Sequence, residues 1–320
     1  MKKIIFCVVS SFIVTSLNAQ VKWETLDPLY QPLPASMHIY KSTELLDGKP
    51  NIMYYAIVNV SDKNLRFTTD TAWKRRLRPS SFYKKNNEPL LVVNCSFFSF
   101  ATNQNLNAVV KNGKIISYNK QTQEGRGKDT LTYFHSFLGA LGITKKRKID
   151  IAWTFTDSSK RNIYASQYPV HFFKDSVEDI NLKYINKKVP HSTKFSKWNM
   201  QTIIGGGPVL IQNNEIKISN NEERKFAGKA VNNPEPRTAI GYTKDNKLVI
   251  LVCEGRSDSA AGLSLIQLAK ILKDIGCVEA LNLDGGGSTC MLINGKETNT
   301  PSGKGVQRSV PSVFLIERNQ

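Results

Sequence analysis

The strongest constraint on the fold is a segment with the pattern strand, helix, strand. Leu248 to Val252 is a continuous apolar run, and Val278 to Leu283 is a second, mostly apolar run. Between them, Ser264 to Ile275 has apolar residues at helical spacing, opens with a Ser-x-x-Gln capping box and ends before Gly276, which predicts an amphipathic helix. Strands joined in this way run parallel, so we expect the residues that follow each strand to lie at one edge of a sheet.

The second of these strands delivers a carboxylate, Asp284, to a glycine-rich turn. After the carboxylate come three glycines and two hydroxyl residues, namely Gly285, Gly286, Gly287, Ser288 and Thr289. Successive glycine amides can point at an anion, and hydroxyl groups add further donors. The alternative is a tight connection that binds nothing, since glycine runs often serve as turns. The pattern indicates a candidate site for a phosphate or a sugar.

Several well-known kinds of site do not fit the sequence. The glycine run lacks the Gly-Lys-Ser/Thr of a Walker loop and the G-x-G-x-x-G of a dinucleotide fingerprint, and no G-x-S-x-G elbow occurs. The four histidines are scattered and there is no C-x-x-C spacing, so we predict neither a cofactor nor a metal site. The sequence leaves open whether a divalent cation binds at Asp284 or Glu254.

The rest of the chain has a largely β pattern. Three segments, 109–116, 209–216 and 291–296, each read as two apolar runs joined by a turn, and two of these turns are Asn-Gly, a strong hairpin signal. We therefore predict a mixed α+β fold: a largely β core with a βαβ unit over about 248–284, several hairpins, and helices packed on the sheet.

The pattern also suggests how the chain is divided. We expect residues 20–89 to form an N-terminal arm and strands that pack on the core, and residues 90–320 to form the domain that carries the candidate site. Residues 157–200 are polar and weakly periodic, which is long for a plain loop and indicates an insertion or a lid.

The first residues have the pattern of a secretory signal. Lys2 and Lys3 precede an apolar stretch, Ile4 to Val14, that is too short to span a bilayer, and a small-residue cleavage pattern ends near Ala19–Gln20. We expect residues 1–19 to be removed and the mature protein to be secreted or periplasmic, with no membrane span. An oxidising compartment permits disulfides, but apolar neighbours also suit free core thiols, so pairing stays open for Cys95, Cys253, Cys277 and Cys290.

The chain is strongly basic, with 44 Lys and Arg against 26 Asp and Glu and a net charge of +18. Only two tight basic clusters occur, 74–76 and 145–148, and neither belongs to a known nucleic-acid module. We therefore expect no nucleic acid partner, and a basic surface that attracts anionic glycans instead. The sequence does not indicate an oligomeric state.

Five motifs occur in an order that resembles one enzyme family. They are Asn94 before Phe97-Phe98, Val109–Lys114, Gly205–Pro208, Pro236–Gly241 and Asn282–Thr289. The set is similar to the phosphodiester glycosidase family. The resemblance implies an α+β fold with the site formed by the motif loops, and an enzyme that removes a sugar, such as N-acetylglucosamine, from a phosphodiester.

Chemistry and the resemblance together assign candidate roles in catalysis. Asp284 is the expected general acid or base, or the residue that fixes the sugar, and its alternative is a turn Asp bonded to its own glycines. Glu254 is a candidate second carboxylate, because many glycosidases use a pair of acids. Its alternative is a salt bridge to Arg256.

Other residues are expected to bind the substrate. Arg237 is the predicted phosphate clamp, since a guanidinium matches two phosphate oxygens, with a structural ion pair as the alternative. Asn94 is a predicted sugar or phosphate ligand, or else an Asx-turn residue. Backbone or hydroxyl donors are expected from Gly206, Gly207, Gly285, Gly286, Gly287, Ser288 and Thr289.

One departure from the family pattern bears on function. The family usually has two glycines where this chain has Cys95 and Ser96, so a ligand has less room near the backbone there. The prediction is an exported hydrolase that removes an N-acetylglucosamine-like sugar from a sugar-1-phosphodiester of a glycan or glycolipid. The alternative is a non-catalytic binding protein for anionic glycans on the same fold.

Overall fold

The computed structural model describes residues 21–319; the predicted signal, residues 1–19, lies outside the described residues. Most of the regular structure is β. The strands are, in chain order, β1 (Glu24–Thr25), β2 (Met37–Ser42), β3 (Met53–Asn59), β4 (Leu65–Thr71), β5 (Leu91–Asn94), β6 (Val109–Lys111), β7 (Lys114–Ser117), β8 (Thr122–Glu124), β9 (Tyr133–His135), β10 (Leu138–Ile143), β11 (Ile149–Asp157), β12 (Asn162–Ser166), β13 (Phe173–Asp175), β14 (Ser196–Lys197), β15 (Thr202–Gly205), β16 (Val209–Gln212), β17 (Glu215–Ile216), β18 (Arg237–Thr243), β19 (Lys247–Cys253), β20 (Cys277–Asn282), β21 (Met291–Ile293), β22 (Lys296–Glu297) and β23 (Ser312–Arg318).

The helices are few and short. The α-helices are α1 (Pro79–Lys85), α2 (Leu182–Lys188), α3 (Asn220–Glu223) and α4 (Leu265–Asp274). Single 3-10 turns occupy Asp27–Tyr30, Gly127–Asp129, His191–Thr193, Gly228–Val231 and Gly286–Ser288. The largely β core with helices packed on it agrees with the predicted fold class.

The largest sheet has eight strands in the order β1-β2-β3-β19-β18-β20-β16-β17. Strand β18 pairs antiparallel with both β19 and β20, so these two strands run parallel to each other with β18 between them. The predicted βαβ unit is therefore present in a split form. Because β18 runs the opposite way, it begins at the edge where its neighbours end, and Arg237, Glu254 and Asp284 all lie at this edge.

Helix α4 connects β19 to β20 across one face of this sheet. The Ser264 hydroxyl accepts the amide of Gln267 at 3.2 Å and the Gln267 side chain accepts the amide of Ser264 at 2.9 Å, which is the predicted capping box. Gly276 ends the helix at a φ of +104°, which disfavours side chains with a Cβ. The buried face consists of Leu265, Leu268, Ala269, Ile271 and Leu272.

Three smaller sheets complete the fold. A seven-stranded sheet has the order β14-β12-β11-β10-β15-β6-β7, a five-stranded sheet has the order β22-β21-β5-β23-β4, and a three-stranded sheet has the order β13-β9-β8. The main core lies where the first two meet the large sheet, and includes Trp153, Leu281 and Phe314. The three predicted hairpins are confirmed as the pairs β6–β7, β16–β17 and β21–β22.

The N-terminal strands are hydrogen-bonded into these sheets. Strand β3 pairs with β19 along its whole length, and β4 pairs with β23. The side chain of Arg147, from the predicted basic turn, donates to the carbonyls of Val60, Asp62 and Leu65 at 2.7–2.9 Å. Residues 157–200 contain β12, β13, α2 and β14, so this segment is folded onto the sheets rather than being a plain loop.

Two further features concern the surface and the thiols. No helix within residues 21–319 is long and apolar enough to cross a membrane. Cys95, Cys253, Cys277 and Cys290 are buried and unpaired with one another. Their side chains pack in the protein core, which is one of the two outcomes that the apolar residues around them in the sequence left open.

The capping box gives a first test of the fold. The Ser264→Ala variant should lower the free energy of unfolding by about 1 kcal/mol, because the Gln267 amide loses its acceptor at the start of α4. Chemical denaturation measures this change. Ser158→Ala, at an exposed position, is the matched control, and an equal loss in both variants would contradict a specific role for the cap.

Candidate active site

The candidate site is built on the end of β20, where Asp284 leaves the sheet. The backbone on both sides of the carboxylate is fixed by the end of β5: the Asp284 amide donates to the Cys95 carbonyl at 2.9 Å, and the Asn94 Nδ2 donates to the Asp284 carbonyl at 2.6 Å. Asn94 is fully buried, and its Oδ1 accepts the Thr238 hydroxyl at 3.0 Å and the Cys290 amide at 3.1 Å. The Asn94 side chain therefore holds the backbone that carries the carboxylate.

The Asp284 carboxyl has an unusual environment. Burial raises its pKa to about 6, while the Ser288 hydroxyl and the charges of Lys225 and Arg308 partly oppose the shift. Its Oδ2 atom is buried and has no hydrogen-bond partner among the residues that the structure describes. Because buried polar atoms are nearly always paired, this oxygen is positioned to meet a ligand or a water.

Two cations flank the carboxyl. The Lys225 ammonium lies 3.3 Å from the centroid of the Phe97 ring, and burial lowers its pKa to about 8 while Glu223 and Asp284 oppose the shift. The Arg308 Nη1 lies 3.4 Å from the Ser288 Oγ. Neither cation has a carboxylate within 4.0 Å in the described part of the chain.

The glycines after Asp284 make room for arginine side chains. A Cβ at Gly286, whose φ is +58°, would lie 3.1 Å from an Arg256 Nη2, and one at Gly287 would overlap the Arg308 guanidinium. The amide of Gly286 donates to the Pro236 carbonyl at 2.8 Å, and those of Ser288 and Thr289 donate within the turn. The turn is thus less of an open amide cradle than its sequence suggests.

The other glycine run packs against the protein. The amides of Gly205, Gly206 and Gly207 donate to backbone carbonyls at 2.8–2.9 Å. A Cβ at Gly206 would overlap the carbonyl of Asn282, and one at Gly207 would overlap the Glu223 carboxylate. These two glycines therefore permit the close approach of β15, β20 and Glu223.

The Glu223 carboxylate accepts several hydrogen bonds next to the site. It accepts the amides of Val209 at 2.9 Å and Gly139 at 3.1 Å, the Trp153 indole at 3.1 Å and the Ser219 hydroxyl at 2.6 Å. Burial raises the pKa of Glu223, and the hydrogen bonds from Ser219, Val209 and Gly139 oppose that rise, as does the charge of Lys225. The carboxylate fixes the segment that carries Lys225.

The predicted clamp and the predicted second carboxylate lie at the same sheet edge with their own partners. Arg237 is 5% exposed, and it donates to the carbonyls of Leu263 at 2.9 Å and Asn233 at 3.0 Å. Burial lowers the pKa of Arg237 to about 10. Glu254 accepts the amide of Thr300 at 2.8 Å.

The alternative salt bridge between Glu254 and Arg256 is absent from the described ion pairs. Arg256 pairs instead with Glu235, with its Nε 2.6 Å from the carboxylate. Thr289 is 1% exposed, and its hydroxyl lies 3.3 Å from the Thr238 hydroxyl, whose own proton is donated to Asn94. Its side chain therefore belongs to the support of the site.

Comparison with known proteins fits this arrangement. The family model described as phosphodiester glycosidase matches residues 87–317. The chain belongs to the phosphodiester glycosidase family. It is 32% identical over 101 residues to the Mus musculus N-acetylglucosamine-1-phosphodiester alpha-N-acetylglucosaminidase, an alignment that covers 31% of this chain and only 19% of the mouse protein.

Solved structures share the fold. The zebrafish N-acetylglucosamine-1-phosphodiester alpha-N-acetylglucosaminidase catalytic domain, auto-inhibited by its pro-peptide, superposes with a TM-score of 0.60 at 17% identity, covering 94% of this chain and 89% of that one. A hypothetical protein from Synechocystis gives a TM-score of 0.61 at 14% identity, covering 93% and 64%. At these identities the likeness concerns the phosphodiester glycosidase fold alone.

A cleft of about 940 Å³ opens beside Lys225 in this phosphodiester glycosidase family member. Its wall includes Leu106, Phe134, Glu223 and Arg224. A cleft of this size, lined by polar groups with a few apolar ones, has the dimensions of a small-molecule site. No group of three or more His, Cys, Asp or Glu side chains within residues 21–319 is arranged to hold a metal ion.

Sequence reasoning missed Lys225, Arg308 and Glu223. Each lies in a polar segment without periodicity, far along the chain from Asp284 or separated from it by a turn. The only sequence signal for Arg308 was indirect: a glycine at 287 leaves space that another side chain can fill. The tertiary fold brings these residues to the carboxylate, and no local sequence pattern predicts that they will meet there.

The buried carboxyl gives a stability test. Because the pKa of Asp284 rises from 3.8 to about 6 on folding, its contribution is favourable at low pH and is lost as the pH rises through 6. Asp284→Asn should therefore raise the melting temperature by roughly 5 °C at pH 7.5 and leave it nearly unchanged at pH 4.

Thermal unfolding at both pH values measures this difference. Asp258→Asn, at an exposed position, is the control and should have no such effect. A lower melting temperature for Asp284→Asn at pH 7.5 would show that the carboxylate stabilises the fold instead.

Proposed function

We propose that the protein hydrolyses a sugar-1-phosphodiester of a glycan or glycolipid and releases the sugar, an N-acetylglucosamine-like unit. The observation that carries this proposal is the Asp284 carboxyl, with its pKa near 6 and an unpartnered Oδ2, between Lys225 and Arg308. Membership of the family and the activity named for the mouse relative support it.

The two cations suit the charge of the substrate. A phosphodiester carries one negative charge, which a water-poor site must neutralise. Lys225 and Arg308 have no carboxylate partner in the described residues, so their charges are available to non-bridging phosphate oxygens. Two donors of Arg237 already bond to backbone carbonyls. We therefore assign Arg237 a supporting role, in which its positive charge adds to the electrostatic field at the phosphate.

Asp284 acts in this proposal as the general base for water. The departing group is a phosphate monoester whose own second pKa is near 6, so it needs little help from an acid. A carboxylate with a pKa of about 6 is mostly ionised at neutral pH and is a stronger base than an ordinary Asp. Breaking the P–O bond instead would expel a sugar alkoxide, which would require a separate acid; Glu254 is the candidate for that role.

The released sugar would occupy the cleft beside Lys225. Its volume of about 940 Å³ accommodates a pyranose ring with an acetamido group. Ring hydroxyls would find donors and acceptors on the polar wall, among them Ser99, Lys120 and Gln123. Phe97, beneath the Lys225 ammonium, supplies an apolar surface near the phosphate.

The replacement of the usual glycines does not block this site. Cys95 and Ser96 are 1% and 2% exposed, and the Ser96 hydroxyl donates to the Gly205 carbonyl at 3.1 Å. Both side chains are buried, so they take no room from a ligand at the protein surface. We also propose that the enzyme is exported, on the strength of the signal pattern in residues 1–19.

Asp284→Asn should reduce kcat/KM on methyl N-acetylglucosamine-α-1-phosphate by about 10²–10⁴-fold, because the base is removed. Sugar release, measured by chromatography, reports the activity. Asp258→Asn should retain wild-type activity. Unchanged turnover in Asp284→Asn would remove Asp284 from catalysis.

The wild-type pH profile of kcat/KM should be bell-shaped, rising through pH 6 as Asp284 ionises and falling above pH 8 as Lys225 loses its proton. Lys225→Gln should lower the maximum of kcat/KM about tenfold or more and abolish its decrease above pH 8. Lys229→Gln, four residues away on a 3-10 turn, is the control and should keep both limbs. An alkaline limb that persists in Lys225→Gln would assign it to another group.

Hydrolysis in ¹⁸O-labelled water distinguishes the two bonds. Cleavage of the C–O bond places the label on the sugar, which is the result expected for a base and an intrinsically good leaving group. Mass spectrometry of both products reads it directly. Label on the phosphate would show P–O cleavage and would require an acid for the sugar oxygen.

A further inference from the structure

An exposed aromatic ring lies beside the candidate active site. Phe100 is 60% exposed, and the centroid of its ring lies 4.7 Å from that of Phe98, with the two rings tilted by 46°. Two guanidinium groups flank the same ring, that of Arg76 at 5.2 Å and that of Arg308 at 5.4 Å from its centroid. We name Phe100 and Arg76 the rim platform.

Arg308 joins the rim platform to the catalytic carboxyl. Its Cζ lies 5.4 Å from the centroid of the Phe100 ring, while its Nη1 lies 3.4 Å from the Ser288 Oγ and its charge acts on Asp284. The platform is therefore one side chain away from the place proposed for the phosphate.

Arg76 is a half-buried cation with nothing to neutralise it. No carboxylate lies within 4.0 Å of it in residues 21–319. It rests on Phe98 and Phe100, at 5.5 Å and 5.2 Å, so its guanidinium is held in place by packing. Two positive charges on one ring repel each other, and an anion bound between them would relieve that repulsion.

We propose that the rim platform is a subsite for the aglycone, and that it selects an acidic sugar; this rests on the proposed function. The pyranose ring of the aglycone stacks on Phe100, and its anionic group binds Arg76. The aglycone is the part that must continue outward as the rest of a glycan, so an exposed rim suits it, while the cleft beside Lys225 encloses the released sugar.

The test measures equilibrium binding by calorimetry to the intact mature protein. Three probes carry the same N-acetylglucosamine phosphonate, in which a methylene replaces the anomeric oxygen so that nothing is consumed. The first aglycone is methyl, which adds no ring. The second is glucosyl, which adds a neutral ring, and the third is glucuronosyl, which adds a ring with one negative charge. The variants are Phe100→Leu and Arg76→Gln.

Matched controls remove the same groups away from the platform. Arg75→Gln removes a neighbouring exposed charge, and Tyr168→Leu removes another aromatic ring that is 52% exposed. Both controls should bind all three probes as the wild type does. Binding of the methyl probe should stay within about twofold of wild type in Arg76→Gln, since the phosphate site is intact.

The wild type should bind the glucuronosyl probe roughly tenfold more tightly than the glucosyl probe, and Arg76→Gln should remove that difference. Phe100→Leu should weaken both ring-bearing probes about five- to tenfold relative to the methyl probe. The preference for glucuronosyl should also shrink at high salt.

Three results would overturn the proposal. If the wild type binds the three probes equally while hydrolysing the methyl diester, the subsite is refuted and the proposed function stands. An equal loss in Arg75→Gln and Arg76→Gln would reduce the effect to general surface charge. Failure of all three probes to bind would refute the proposed function together with the subsite.

Discussion

The arrangement of the site depends on one buried side chain, Asn94, which joins the ends of four strands. It is the last residue of β5, donates to the carbonyl of Asp284 at the end of β20, and accepts from Thr238 in β18 and from the Cys290 amide before β21. An amide group is suited to this because it offers donors and an acceptor at once. The position of the carboxylate is thereby tied to both the eight-stranded and the five-stranded sheet.

The charged side chains around Asn94 are of two kinds: those bonded within the protein, which support the fold, and those without an oppositely charged partner. Glu223 is surrounded by donors and carries no exposed function, yet it places Lys225 beside Asp284. Lys225, Arg308 and Arg76 have no acidic partner in the described residues, whereas Arg256 is paired with Glu235. Unpaired cations in partly buried positions weaken a fold, and proteins commonly tolerate such costs where a ligand will bind.

The glycine runs have a different physical meaning from the one their sequence suggests. Both were expected to present amides to a ligand, but most of these amides donate to backbone carbonyls. What the glycines provide is space: Gly287 lets Arg308 cross the turn, and Gly207 lets the Glu223 carboxylate approach. A missing Cβ can therefore serve a neighbouring side chain, and this role depends on a residue that is distant in sequence.

By itself, the sequence determined the largely β fold, the capped helix α4, the three hairpins and the delivery of Asp284 to a sheet edge. These features depend on local periodicity, capping and turn residues, which act over a few positions. Only the tertiary structure decided that β18 lies between β19 and β20, that Asn94 is a buried support, and that Lys225 and Arg308 flank the carboxyl. Such contacts join segments tens to hundreds of residues apart, and their energies depend on burial and distance, which no local pattern records.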